Sequence, residues 1–153
     1  MDICRQKKER AYVVVATARG RRLIVGQAVL REREWEQMQR VVDTLPAAKR
    51  YCTDDLAVYS EVLWHALPDG RTERNHIISE GKRETYTRET YTIEGINADL
   101  RTYLGRLKRR SRCFSRCIGA LRRAIRLFVW YYNKRQRAII ANPKLKGILP
   151  LVF

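Results

Sequence analysis

Hydrophobic positions along the chain change period several times, and each change marks an element. Residues 12–17 (YVVVAT) form a β-branched apolar run, Arg19 and Gly20 supply a turn, and residues 23–30 (LIVGQAVL) form a second run. Such runs around a short turn predict two neighbouring antiparallel strands. Over residues 34–44 the apolar side chains of Trp35, Met38, Val41 and Val42 fall at helical spacing, and Pro46 marks the stop. That helix is expected to cross back over the sheet. Residues 50–53 read as a short extended piece ending in Asp54 and Asp55, followed by a helix over 56–64 closed by Leu67, Pro68, Asp69 and Gly70. His76, Ile77 and Ile78 suggest another short strand, and residues 81–91 a polar, Thr-rich, mobile loop.

Two longer periodic segments follow. Ile93, Ile96, Leu100, Tyr103, Leu104 and Leu107 recur at steps of three and four, which predicts a helix from Ile93 onward. A second helix is expected over about 115–137, with Ile118, Leu121, Ile125, Phe128, Val129 and Tyr132 on one face and Arg116, Arg122, Arg123 and Arg126 on the rest of its surface. Asn142-Pro143 and Gly147 end regular structure, leaving an apolar tail, 148–153, to dock or pair. The expected class is α/β.

With 153 residues, 45% hydrophobic and 31% charged, the chain has the size and composition of one folded domain. No apolar run approaches the roughly 18 residues of a membrane span. The first ten residues are charged rather than a leader, so the expected location is cytoplasmic. Cys4, Cys52, Cys113 and Cys117 lack the spacing and the histidines of a zinc site, and Cys113 and Cys117, four apart, read as reduced, partly buried residues.

Charge narrows the function classes. The net charge is +16, and from Glu94 to the end fifteen Lys and Arg stand against two acids, a net +13 concentrated in the last 60 residues. A focused cationic half points to a polyanion, with nucleic acid the first candidate. The densest run is Lys108, Arg109, Arg110, Ser111 and Arg112. Glu94, Asn97, Arg101 and Lys108 are spaced to share one helix face opposite the apolar stripe. An acid followed by an amide and two cations along one line could hold a metal ion and track a phosphate backbone. Asp54 and Asp55 close a strand, where open α/β sheets place ligands. Their structural alternative is to cap the next helix. For His76 the alternative is a strand-end residue near solvent and for His65 a helix-end residue, while Trp35, Trp64 and Trp130 are most simply core or interface aromatics.

Taken in order, residues 51–59 (YCTDDLAVY), His76, residues 90–101 (TYTIEGINADLR) and residues 106–115 (RLKRRSRCFS) resemble the insertion-sequence-one family of bacterial transposases. Ile24-Val25-Gly26, Leu45-Pro46 and Tyr131-Tyr132-Asn133 look like further landmarks of that family, so the resemblance covers roughly residues 12–137. It implies an RNase H-like mixed sheet flanked by helices and a DDE set of acids holding Mg²⁺. Cleavage and strand transfer of DNA would follow, in an enzyme whose intact form is a homo-oligomer. Residues 1–110 would be a partial catalytic core, 111–137 a basic helix packed on it, and 138–153 the tail.

By the same resemblance Asp54 is the second catalytic Asp, Glu94 the catalytic Glu and His76 the histidine preceding it. Asn97, Arg101, Lys108, Arg109, Arg110 and Arg112 would contact DNA. Position favours Asp54 over Asp55. Gly95 stands where the family has Arg. Asp2 is the acid nearest the place of the first catalytic Asp, but its surroundings (MDICRQKKER) lack the family pattern. The expectation is therefore a chain without its first strand and first acid, inactive alone. A non-catalytic DNA- or RNA-binding protein with the same basic surface is the alternative.

Overall fold

The structure is a computed structural model and describes residues 11–54, 56–65, 75–78, 87–104, 107 and 117–150, with the backbone alone for 87–91. Its strands are β1 (Tyr12–Ala18), β2 (Leu23–Leu30), β3 (Tyr51–Thr53) and β4 (His76–Ile78). Its helices are α1 (Trp35–Asp43), α2 (Val58–Glu61), α3 (Thr87–Tyr103) and α4 (Ile118–Ala141). The class is mixed α/β. β1 pairs antiparallel with β2, and β3 pairs parallel with β4. The tight connection between β1 and β2 places Arg22 at φ 52°. A bulge follows at Ala16/Thr17, so that Ala16 faces Gly26 while Thr17 faces Ile24.

The hairpin is largely apolar on both sides because helices cover both of its faces. Val13 and Val15 point to one side, where they pack with Ile24, Val29 and the α3 and α4 residues Ile96, Leu100, Leu121, Ile125, Phe128 and Tyr132. Val14 and Leu30 point to the other side, against Met38 and Val42 of α1 and Val62 beyond α2. That alternation is the period of two expected of a strand. Leu100, Ile125 and Phe128 are the largest fully buried side chains.

The outer edge of β2 is closed by side chains of α4. The Asn133 amide accepts from Ile24 N at 2.9 Å and donates to Ile24 O at 2.8 Å, as a neighbouring strand would. Arg122 donates to Val29 O at 3.1 Å. Eleven helical residues at about 1.5 Å and five strand residues at about 3.3 Å both span about 16.5 Å. The two clamps are therefore in register, with α4 antiparallel to β2. Gly26 has a separate task, since a Cβ added there would collide with Leu45 Cδ2. The landmark residues Asn133, Gly26 and Leu45 thus have packing roles.

Several expectations are corrected. Trp35 does not share the buried face of α1; Met38, Val41 and Val42 do, and Trp35 is 49% exposed. The helix expected over 56–64 is the short α2, because Val62 turns extended to enter the core and the Gln39 amide binds both Leu63 N and Leu63 O. The side chain supplies Leu63 with the partners that a continuing helix would have given.

α3 begins at Thr87, inside the segment expected to be a loop, so Glu94 lies about two turns within the helix rather than at its start. Polar opening turns carry no apolar period, and once a helix has nucleated each added residue gains a bond. α4 continues past residue 137 to Ala141, and a 3-10 turn (Pro143–Gly147) follows where regular structure was expected to end. Ile148 in the tail is exposed, while Arg135 donates to Leu149 O. Cys52 and Cys117 are exposed; Cys117 was expected to be partly buried and instead precedes α4 at the surface. Among the described residues no helix is long and apolar enough to cross a membrane.

Two glycine substitutions should have opposite signs. Gly95 is exposed inside α3 with open space around its Cβ position, so Gly95→Ala should raise the stability measured by urea unfolding by about 0.5 to 1 kcal/mol. Gly26→Ala should lower it by about 1 to 3 kcal/mol, and by less when Leu45→Ala removes the obstructing side chain. Asn133→Leu leaves both backbone groups of Ile24 without their side-chain partner and should cost about 2 kcal/mol in the same assay.

Candidate functional site

The parallel β3–β4 pair is built around aromatic rings. Tyr51 is buried; its hydroxyl donates to Pro46 O at 3.0 Å and accepts from Ala48 N at 3.1 Å, which fixes the chain entering β3. Burial pushes the Tyr51 hydroxyl above its ordinary pKa, opposed by the Ala48 N–H. Trp64 stacks on His76 with centroids 4.4 Å apart and lies 4.9 Å from the Tyr51 ring. Asn75 precedes β4; its backbone oxygen accepts from Tyr51 N and its side chain donates to His65 O at 2.6 Å. His65 Nε2 reaches Val42 O at 2.8 Å, so this histidine ties the segment after α2 to α1 and does not end a helix.

Asp54 leaves the end of β3 and is exposed. Thr53 Oγ1 and His76 Nε2 are 2.7 Å apart, which joins the residue before Asp54 to the first residue of β4. His76 is half-buried, and desolvation holds its pKa below the usual imidazole value. The Tyr59 hydroxyl is raised chiefly by burial, with the negative charge of Asp54 adding to the shift and Arg33 opposing it. Arg33 also lies over the Tyr12 ring, 4.2 Å from its centroid. Asp54 at the end of β3 is thus close to Tyr59, while His76, opposite Tyr51 at the start of the parallel pair, reaches Thr53, the residue before Asp54. The sequence offers no local signal for the Thr53–His76 bond, which depends on the register Thr53↔Ile78.

Glu94 is exposed on α3, with Asn97 half-buried and Arg101 exposed along the same line, while Ile96 and Leu100 on the opposite face are each 2% exposed. This is the arrangement expected from their spacing. α3 packs against both β1 and β3, so the helix bearing Glu94 and the strand ending at Asp54 are parts of one packed unit. Lys108, Arg109, Arg110 and Arg112 lie outside the described residues, as do Asp2 and Asp55.

Sequence reasoning missed Asp99. It faces the α4 side of α3, where burial raises its pKa and the charges of Arg135 and Arg22 oppose the rise. Tyr132 is raised by burial and further by Asp99, with Arg22 and Arg135 again opposing. Arg22, at the hairpin turn, is thus brought beside the two long helices.

The carboxylate oxygens of Asp54 and Glu94 have the chemistry that Mg²⁺ takes. Among the described residues, however, no group of three or more His, Cys, Asp and Glu is placed to hold a metal ion. Two acids fall short of the donor set of a two-ion centre.

His76 sets a pH dependence of stability. Its folded pKa lies below 6.5, so between 6.5 and that lower value the unfolded chain binds the proton and the folded chain does not. The His76 contribution to stability is complete above about pH 7 and should be lost as pH drops through the 6.5 region. In His76→Gln the part of this decline due to the imidazole should disappear, as read from urea midpoints across pH 7.5 to about 5.5. An unchanged decline in the variant would assign the effect to other groups. No protein-family model, curated protein or solved structure matches the chain.

Proposed function

We propose that the protein is a DNA-binding chain of the DDE transposase class, built on an RNase H-like mixed sheet, with Asp54 and Glu94 as carboxylates directed to a divalent ion. The supporting observation is the packing of α3 against β3, which brings the Glu94 helix to the strand ending at Asp54, beside the Thr53–His76 bond. These residues come from three separate segments, in the order of the resemblance. α3 also lies against β1, so one helix spans the two separate two-stranded sheets, β1–β2 and β3–β4.

Polynucleotide binding follows from the net +13 of the C-terminal 60 residues. Asn97 and Arg101 lie on the Glu94 face of α3, where an amide and a guanidinium can position phosphates. A bound Mg²⁺ would act as a Lewis acid on a phosphodiester. Two carboxylates hold such ions weakly, so the chain by itself binds DNA without cutting or joining it.

DNA affinity at constant ionic strength, with and without Mn²⁺, tests the carboxylates. Mn²⁺ should tighten binding by the parent chain, Asp54→Asn and Glu94→Gln should each lose that gain, and supercoiled plasmid should stay uncut throughout. An equal Mn²⁺ response in all three proteins leaves only the alternative, a non-catalytic DNA- or RNA-binding protein. Glu94-dependent cutting would refute the inactivity of the chain alone.

A further inference from the structure

The outward side of α4 carries a line of side chains that the core does not use. Arg123, Leu127, Trp130, Lys134 and Arg137 follow one another at steps of four, three, four and three, and all five are exposed. The buried face of the same helix is Leu121, Ile125, Phe128 and Tyr132. Trp130 keeps 55% of its surface and Leu127 54% in solvent. The aromatic expected in a core or interface is thus the most conspicuous group on the outside.

The Trp130 ring is held rather than loose. Lys134 Nζ lies over it at 5.0 Å from the centroid, and the Tyr131 ring meets it edge-on at 4.6 Å and 84°. A flat ring fixed in one attitude with cations before and after it on the same line is a stacking plate inside a positive track. From Arg123 to Arg137 the track runs about 21 Å at helical rise, enough for several nucleotides.

We infer that this face of α4 binds single-stranded nucleic acid, a base stacking on Trp130 while Arg123, Lys134 and Arg137 contact the flanking phosphates. The inference rests on the polynucleotide-binding part of the function proposed above and not on its carboxylates.

Other occupants fit the face less well. A duplex offers phosphates to the cations but keeps its base faces stacked away from Trp130. A second copy would bring the same cations against themselves, since α4 contains no acidic residue. A bilayer favours an apolar face segregated from a charged one, whereas here Leu127 and Trp130 alternate with Arg and Lys along one line.

Fluorescence anisotropy with a dye-labelled oligothymidylate of about 16 nucleotides, and with a duplex of the same length, tests the assignment. Trp130→Ala should weaken single-strand binding about tenfold, the loss expected for one stacked base, and leave duplex binding nearly unchanged. Trp130→Phe should recover most of the loss, and Lys134→Gln should reduce the salt slope by about 1. The side chains are exposed, so unchanged urea midpoints should accompany these effects.

Undiminished single-strand binding by Trp130→Ala, or an equal loss with the duplex, overturns the proposal while DNA binding itself stands. A Trp130→Ala loss confined to phosphatidylserine vesicles, or to concentration-dependent self-association, overturns it in favour of a lipid or a second copy. Failure of the parent chain to bind either oligonucleotide removes the polynucleotide reading altogether.

Discussion

The two-point attachment of α4 to the edge of β2 is the constraint on which the remaining architecture depends. β2 is one of the two edge strands of a two-stranded ribbon, and an uncovered strand edge leaves backbone donors and acceptors in want of partners. Asn133 satisfies both groups of Ile24, and Arg122 satisfies the carbonyl of Val29. The attachment fixes the helix in direction and axial position, so that Leu121, Ile125, Phe128 and Tyr132 meet the hairpin at defined places. It also determines which residues of α4 point outward.

From that attachment the candidate site is reached in two steps. α4 and the hairpin enclose Ile96 and Leu100, which orients α3 and turns Glu94 and Arg101 to the surface. α3 in turn contacts β3, whose entry is held by the Tyr51 hydroxyl and whose exit is held by Thr53 and His76. Asp54 follows this doubly anchored strand. Its position is set by buried rings and backbone bonds, while its own carboxylate stays in solvent.

Much of this was legible in the chain where the controlling interactions are local. The hairpin ends within a residue of its expected limits, because β-branched runs and the turn between them act over neighbouring positions. The outward line of Glu94, Asn97 and Arg101 follows from helical geometry once the buried stripe is known. Where distant groups intervene, the reading fails. Gln39 takes the backbone bonds of Leu63 from 24 residues away and shortens a helix that composition favoured. The polar opening turns of α3 have no buried face to declare them. Trp130 reads as a core or interface aromatic by its type, and the core part of that reading fails because it lies two residues beyond Phe128, about 200° around the helix from the buried stripe. Asp99 gave no signal, since its environment is made by Arg22 and Arg135 on other elements.

Chain order gives the edge attachment a temporal consequence. Ile24 is separated from Asn133 by 109 positions, so synthesis delivers the ribbon long before its cover. During translation Ile96 and Leu100 of α3 can reach Val15 and Ile24 first, but Val29 lacks its partners Leu121 and Ile125, and the β2 edge its clamps, until residues 118–141 have emerged. Long-range closure of this kind slows folding and lengthens the exposure of an apolar strand margin. A nascent polypeptide interrupted before that helix would present to chaperones and to other chains the sheet border that the finished molecule conceals.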